Sequence, residues 1–211
     1  MKVGILALQG DFEAHAAVLA RLGAEYVFVR TPRDLDGVDA VVLPGGESTT
    51  QWKFLVEEGL DRELQQHAAR AGAIFGTCAG AILLAREVRN PPQPSLGLVD
   101  MTVVRNAYGR QLASEVRHEP TAFSQAPIEM VFIRAPIIEP TGPGLEILAA
   151  SQGKPVLVRQ GHILVATFHP ELTGETLVHE YFLRMACEPR APSGASRQAV
   201  PSPAAISVER R

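Results

Sequence analysis

The stretch AIFGTCAGAILL, residues 73–84, decides the fold, because it predicts a buried strand that runs directly into a helix. Ala73–Thr77 is largely apolar, as a buried strand requires, and the helix continues through Leu84. At the junction, Gly76-Thr77-Cys78-Ala79-Gly80 matches the G-x-[S/C]-x-G pattern of a nucleophile elbow, a turn in which any Cβ atom at the glycines would clash. The pattern predicts an α/β sheet that presents the Cys78 thiol at a helix N-terminus, where the dipole and backbone N–H groups stabilise a thiolate.

Short apolar runs and amphipathic stretches alternate along the rest of the chain, which is typical of an α/β fold. Prolines interrupt the pattern at 90–94, which is predicted to be a loop. The predicted strands are Val3–Leu8, Tyr26–Arg30 and Ala40–Leu43, followed by extended segments near Leu98–Arg105, Met130–Arg134, Ile147–Ala150, Val156–Arg159 and Ile163–Phe168. The predicted helices are one capped by Asp11 that runs to Leu22, one opened by a Ser48–Gln51 capping box, and Glu175–Met185.

Composition excludes several classes of protein. The chain has 211 residues, of which 46% are hydrophobic and 20% charged, and its net charge of −3 provides no basic field for nucleic acid. The longest uncharged run, 71–85, is too short and too rich in small residues to span a bilayer. Residues 1–188 are predicted to form one domain, and the Pro/Ser/Ala-rich segment 189–211 is predicted to be a disordered tail.

Cysteine usage indicates a reducing, cytoplasmic location. Cys78 and Cys187 are too few for a disulfide framework or a four-thiolate metal site. Cys187, near the end of the last helix, is interpreted as a packing residue. The same interpretation is the alternative for Cys78, since most free cysteines behave as small apolar residues. The strand context and both glycines favour the elbow.

One of the six histidines is placed to serve the thiol as a base. His67 and His179 lie on amphipathic helices and are predicted to be solvated. His169 ends an apolar strand and is followed two residues later by Glu171. Because the functional crevice of a parallel sheet lies at the carboxyl ends of its strands, Cys78 and His169 are expected to converge there, with Glu171 orienting the imidazole. The three residues predict a Cys-His-Glu triad.

A second loop follows another strand end, at Pro44-Gly45-Gly46-Glu47-Ser48. Gly45 and Gly46 allow close approach of the backbone to a ligand. An N–H from this loop and the N–H of Ala79 are predicted to form an oxyanion hole. A phosphate cradle is the alternative, but no G-x-x-x-x-G-K-[ST] spacing is present, and a plain strand-to-helix turn also stays open.

Together these motifs resemble class I (triad) glutamine amidotransferases, and within that class the glutaminase subunits of pyridoxal 5′-phosphate synthase. The resemblance covers about residues 2–187. It rests on the elbow Phe75–Gly80, on Phe168-His169-Pro170-Glu171-Leu172, and on more specific segments: Val3–Gly10 with His15, Leu43–Thr50, Arg105-Asn106-Ala107-Tyr108-Gly109-Arg110-Gln111 and Phe132–Pro136.

The resemblance implies a flavodoxin-like three-layer fold with a mostly parallel central sheet. It implies Cys78 as nucleophile, His169 as general base and acid, and Glu171 as the residue that orients His169. L-Glutamine would be held by Gly46, Glu47, Ser48, Arg105, Ile133 and Arg134. The arginines suit an α-carboxylate, which a guanidinium binds with two hydrogen bonds.

The resemblance also implies a protein partner, the synthase subunit, which would accept the ammonia. Gln9 would lie where that subunit docks, although the residue could also form a simple turn. His15 is assigned to the same interface, with a helix-surface position as the alternative. No metal and no organic cofactor is implied.

Two other hypotheses stay open at this point. One is a different hydrolase of the elbow class, such as the glutaminase subunit of imidazole glycerol phosphate synthase or a Cys peptidase-like protein. The other is a binding subunit without activity whose triad is vestigial. The intact set of Cys78, His169 and Glu171 argues against the second hypothesis.

Overall fold

A computed structural model describes residues 1–106 and 114–189. Seven strands form a central sheet in the order β10-β11-β12-β4-β3-β1-β2. The five strands from β12 to β2 are parallel, while β10 and β11 are antiparallel additions at one edge. The central strands are β1 (Lys2–Leu6), β2 (Glu25–Val29), β3 (Ala40–Leu43), β4 (Ala73–Thr77), β10 (Glu146–Ser151), β11 (Lys154–Gln160) and β12 (Ile163–Ala166). The predicted flavodoxin-like fold with a mostly parallel sheet is confirmed.

Helices cover both faces of this sheet, because successive side chains of each buried strand point to opposite faces. Ile5 and Phe75 pack into a cluster with α1 and α5, whereas Leu6 and Ile74 pack into a second cluster with α2, α3 and α4. The helices are α1 (Phe12–Arg21), α2 (Ser48–Glu58), α3 (Leu60–Ala69), α4 (Ala79–Leu84) and α5 (Leu177–Ala186). Within the described part of the chain, none of the helices has the length and apolarity needed to cross a membrane.

Two small sheets lie beside the central one. One contains β5 (Ala85–Arg89), β6 (Val99–Val104) and β9 (Ile137–Pro140), and the other is the hairpin of β7 (Ser114–Thr121) and β8 (Ser124–Ile133). The sequence patterns predicted no element at α3, β5, β7 or β9. The hairpin carries Ile133 and Arg134 to the main sheet, where the N–H of His169 donates to the carbonyl of Val131 at 2.8 Å.

One predicted helix cap is wrong, and a second is confirmed in its position but not in its hydrogen bond. Glu47, not Ser48, caps α2: its carboxylate accepts from the N–H groups of Thr49 and Thr50 at 3.2 and 2.7 Å. Asp11 stands at the cap position of α1 but makes no capping hydrogen bond with its side chain. Apart from Pro189, the predicted tail lies outside the described residues, as do residues 107–111 of the Arg-Asn-x-Tyr-Gly-Arg-Gln segment.

Candidate active site

The candidate site lies at the carboxyl edge of three neighbouring parallel strands. Cys78 follows β4, the Gly45-Gly46 loop follows β3, and His169 comes shortly after the end of β12. Because β12, β4 and β3 are adjacent in the sheet, their carboxyl ends meet at one place. Residues that are far apart in the sequence are thereby brought together.

The elbow has the strained backbone that its sequence pattern predicts. Cys78 adopts φ +48° and ψ −97°, a conformation that costs free energy for any residue with a Cβ. A Cβ added to Gly76 would lie 2.8 Å from the backbone carbon of Gly80, and one added to Gly80 would lie 2.2 Å from the carbonyl oxygen of Leu43. The two glycines are therefore required by the close approach of backbone on both sides of the thiol.

His169 and Glu171 form a buried pair. Nδ1 of His169 lies 2.7 Å from Oε1 of Glu171, and the imidazole is 3% exposed. Burial of the ring disfavours its protonation, but hydrogen bonds and charge interactions with Cys78 and Glu171 outweigh burial and raise the pKa of His169. Burial raises the pKa of Glu171, which its contact with His169 opposes. The arrangement supports an imidazolium beside a thiolate.

The loop after β3 is held by two glutamine side chains. Oε1 of Gln9 accepts from the N–H of Glu47 at 2.8 Å. Nε2 of the fully buried Gln51 donates to the carbonyls of Gln9 and Pro44 at 2.9 and 3.3 Å, and lies 3.4 Å from that of Gly45. Gln51 is not among the site residues predicted from the sequence, although its place one turn before the buried Leu55 marks it as a polar residue on the apolar face of α2.

The peptide between Gly45 and Gly46 has a defined orientation. Its carbonyl oxygen accepts from the N–H of Asp11 at 3.1 Å. Since a trans peptide is planar, the N–H of Gly46 points in the opposite direction. A Cβ on Gly45 would lie 2.3 Å from Cε1 of His169, so this loop approaches the imidazole as closely as glycine permits. Ala79 begins α4, and its N–H belongs to the first turn, which has no partner within the helix.

A pocket of about 190 Å³ opens above these groups. Its lining includes Cys78 and His169 and all six residues predicted to hold glutamine: Gly46, Glu47, Ser48, Arg105, Ile133 and Arg134. The remaining lining residues, for which the sequence predicted no role in the site, are Asp11, Ile82, Asn106 and Pro136. Asn106 and Arg134 both have positive φ values, of 52° and 45°, so strained backbone occurs around the pocket as well as at the nucleophile.

Three of the predicted ligand residues already contact other side chains or backbone groups of the protein. Hydrogen bonds from the Thr50 hydroxyl and from the N–H groups of Thr50 and Thr49 outweigh partial burial and lower the pKa of Glu47 to about 2. Arg105 lies 3.8 Å from the Glu47 carboxylate. The Ser48 hydroxyl donates to Oε1 of Gln93 at 2.9 Å. Glu47 therefore gives the pocket a fixed negative charge, and its side chain positions the loop.

The three histidines assigned to surfaces are buried instead. His15 is fully enclosed, with Nδ1 2.9 Å from Nε2 of His179, so neither a helix-surface position nor direct contact with a docking partner fits it. His179 is also fully buried, and His67 is 8% exposed with Nε2 3.3 Å from the carbonyl of Ala73. All three lie on helix faces that pack against the sheet. Gln9 is half-buried and reaches the loop after β3.

Asp11, His169 and Glu171 offer atoms within 4.8 Å of one another that could ligate a metal ion. Nδ1 of His169 is already hydrogen-bonded to Glu171, however, and a metal there would break the pair. The hydrogen bond between His169 and Glu171 therefore fits these residues better than a bound metal ion does.

The fold and the site together define a class I glutamine amidotransferase. The family model described as "SNO glutamine amidotransferase family" matches residues 5–188, and the chain belongs to this family. It is 54% identical over 185 residues to the pyridoxal 5′-phosphate synthase subunit PdxT of Koribacter versatilis (strain Ellin345), covering 88% of this chain and 95% of the relative. It is 48% identical to the subunit of the same name from Thermotoga neapolitana, covering 88% and 99%.

A solved structure titled "Crystal structure of glutamine amidotransferase" is also similar. Its TM-score is 0.83 at 46% sequence identity, and the match covers 87% of this chain and 98% of that one. A second one, titled "Structure of PurLQS from Thermotoga maritima", shares the fold at 17% identity and a TM-score of 0.64, covering 87% of this chain and 97% of that one.

Proposed function

We propose that this protein hydrolyses L-glutamine to L-glutamate and ammonia and delivers the ammonia to the synthase subunit of pyridoxal 5′-phosphate synthase. The observation that carries the proposal is the 2.7 Å contact between His169 and Glu171 beside Cys78, in a pocket that Arg105 and Arg134 also line. The names of the relatives that share about half of the sequence support this partner over imidazole glycerol phosphate synthase.

The first half of the reaction transfers the glutamyl group to sulfur. An arginine of the pocket binds the α-carboxylate of glutamine, and the Cys78 thiolate attacks the side-chain carboxamide carbon. Backbone N–H groups of the Gly45-Gly46 loop and of Ala79 stabilise the oxyanion. The His169 imidazolium donates its proton to the nitrogen, the C–N bond breaks, and ammonia leaves behind a γ-glutamyl thioester.

The second half restores the enzyme. Neutral His169 takes a proton from a water molecule, whose oxygen attacks the thioester carbon. The C–S bond breaks, which regenerates the thiolate beside the imidazolium and releases the product, whose new γ-carboxyl group gives its remaining proton to solvent to form glutamate. Glu171 stays ionised and stabilises the imidazolium in both halves.

Partner control follows from the loop after β3. Gly45 and Gly46 permit a peptide flip, and in the present arrangement the Gly45 carbonyl is hydrogen-bonded to the N–H of Asp11. We propose that the isolated chain is slow and that docking near Gln9 stabilises the active orientation. Equal rates with and without the synthase subunit would contradict this.

The two unpaired thiols support a reducing, cytoplasmic location.

The test is glutamate release from glutamine by the full chain, alone and with the synthase subunit. Cys78→Ala is expected to abolish glutamate release, by at least about a thousandfold in kcat, because the nucleophile is lost. The matched control is Cys187→Ala, which removes the exposed thiol and is expected to keep full activity. Glutamate release that persists in Cys78→Ala would overturn the proposal.

A further inference from the structure

A buried pair of histidines lies directly behind Glu171, and the scheme above does not use it. His15 on α1 and His179 on α5 are both fully enclosed, with Nδ1 of His15 2.9 Å from Nε2 of His179. The other nitrogen of His15, Nε2, lies 3.1 Å from the Thr77 hydroxyl oxygen and 3.5 Å from Oε2 of Glu171. The two rings form a chain that ends at the carboxylate bound to His169.

Both rings are neutral at ordinary pH. Burial, reinforced by the neighbouring His179 and His169, holds the pKa of His15 well below its usual value. Burial and the charge of Arg21 lower the pKa of His179 to about 3. A neutral imidazole has one N–H donor and one acceptor nitrogen, so each ring must place its single proton on one side or the other.

In the contact between the two rings, either His15 donates to His179 or His179 donates to His15. The hydrogen-bonding surroundings decide between these two arrangements. If His15 donated from Nδ1, its Nε2 lone pair would face the Glu171 carboxylate. His179 would then carry its proton on Nδ1, which is buried and has no hydrogen-bond partner among the described residues. If His179 donates from Nε2, His15 carries its proton on Nε2, the nitrogen that is hydrogen-bonded to Thr77 and lies 3.5 Å from Glu171. This second arrangement leaves only an unpartnered acceptor, which costs less than an unpartnered buried donor.

The second arrangement also serves Glu171. Its Oε1 contacts His169, whereas its buried Oε2 has no hydrogen-bond partner within the described ranges. In this arrangement the Nε2–H of His15 is hydrogen-bonded to the Thr77 hydroxyl oxygen at 3.1 Å. Oε2 of Glu171 lies 3.5 Å from the same nitrogen, which is close enough for electrostatic stabilisation and for a hydrogen bond after a small movement. A buried carboxylate without such a donor would resist ionisation.

We propose that His15 is a positioning residue of the glutaminase, held by His179 and directing its Nε2–H at Oε2 of Glu171. The inference rests on the proposed function. Glu171 is faced by His169 from one side, by His15 from the other, and by the exposed Asp11, which lies 3.8 Å from Nδ1 of His169. The charge of Asp11 opposes ionisation of Glu171. In the proposed arrangement the N–H of His15 favours ionisation, so His15 indirectly supports the His169 imidazolium and the Cys78 thiolate.

The first test reads the protons directly in the wild-type chain. Nitrogen-15 chemical shifts of the imidazoles distinguish a protonated from an unprotonated ring nitrogen. His15 and His179 are both expected to carry their proton on Nε2 at pH 7. A proton on Nδ1 of His15 would overturn the proposal without any variant being made.

The second test compares a variant that lacks the donor with a variant that keeps one. His15→Phe keeps a ring against Phe75 but has no N–H, whereas His15→Gln can place an amide N–H near the position of Nε2. The readout is the pH dependence of Cys78 alkylation by iodoacetamide in the full chain, in a Cys187→Ala background so that one thiol reacts. This readout needs no glutamine, and it is paired with kcat and KM for glutamate release in the presence of the synthase subunit.

His15→Phe is expected to move the alkylation profile of Cys78 to higher pH. It is also expected to lower kcat about 10- to 100-fold, which is the range that loss of such supporting hydrogen bonds produces in carboxylate–histidine sites. KM for glutamine is expected to stay nearly unchanged. His15→Gln is expected to recover most of both losses. The matched control is His67→Phe, which alters another buried histidine at the opposite end of β4 and is expected to leave the alkylation profile unchanged.

An unchanged alkylation profile in His15→Phe, or equal losses in His15→Phe and His15→Gln, would assign His15 a purely structural role and overturn the proposal. Failure of the proposed function has a different signature. In that case the wild-type chain would release no glutamate, while the alkylation profile and the nitrogen-15 shifts would still report on His15.

Discussion

Gln51 shows how one buried side chain can hold a loop that the chemistry needs. Its amide donates towards three carbonyl oxygens around the loop after β3. Gln51→Glu replaces the donor by an acceptor of the same shape, so the oxygens repel it. We expect the free energy of unfolding to fall by about 3 kcal/mol and glutamate release to drop with it. Urea unfolding measures the first effect. Gln66→Glu, the same change on the exposed face of α3, is the control, and equal losses in both would contradict this role.

At the scale of elements, the packing of α4 against the end of β3 depends on Gly80. A Cβ there would lie 2.2 Å from the carbonyl oxygen of Leu43, and backbone cannot move aside as a flexible side chain can. We expect Gly80→Ala to lower the free energy of unfolding by about 2 kcal/mol, the cost of overpacking, and to slow alkylation of Cys78 by displacing the elbow. Gly144→Ala is the control, since a Cβ there meets nothing within 4 Å. If both variants were equally stable, the close contact would have no energetic role.

At the scale of the whole molecule, the buried histidines couple stability to pH. The pKa of His179 is about 3 in the folded chain and near 6.5 when unfolded, so below pH 6.5 the unfolded chain binds more protons. The free energy of unfolding is therefore expected to fall as the pH is lowered from 6.5 towards 3, by up to about 1.4 kcal/mol per pH unit for each such histidine. His15, whose pKa is also lowered, acts in the same direction.

The measurement is urea unfolding of wild type and His179→Phe at pH 7, 6, 5 and 4. Glu171, whose pKa is raised in the fold, opposes this trend in both proteins, so the two are compared with each other at each pH. The difference between them is expected to shrink as the pH falls. The exposed His118 supplies the control His118→Phe, for which no such trend is expected. A pH-independent difference for His179→Phe would contradict the assignment of a neutral buried ring.

Local chain geometry was sufficient to predict the elbow and the strand ends. The role of Gly76 and Gly80 around Cys78 can be predicted because a turn this tight leaves no room for a Cβ atom. An apolar strand followed by a polar residue likewise marks the carboxyl end of a strand. The α/β fold, the candidate nucleophile and the His169–Glu171 pair follow from such short-range rules. The resemblance to glutamine amidotransferases added the pocket residues, since nothing in local spacing connects Arg105 to Ile133.

Tertiary structure alone decided what surrounds those residues. His15 and His179 lie 164 positions apart, and the sequences around them are typical of amphipathic helices with polar residues at these positions. Only the packing of α1 and α5 on one face of the sheet shows that both rings are buried behind Glu171. The capping role of Glu47 and the hydrogen bonds from Gln51 to the loop after β3 likewise depend on atoms from separate elements. The sequence determines which residues are able to form turns, cap helices or ionise. Burial and contacts with residues distant in the sequence determine which of them have these roles in the fold, because side chains lose their water only once the helices have packed on the sheet.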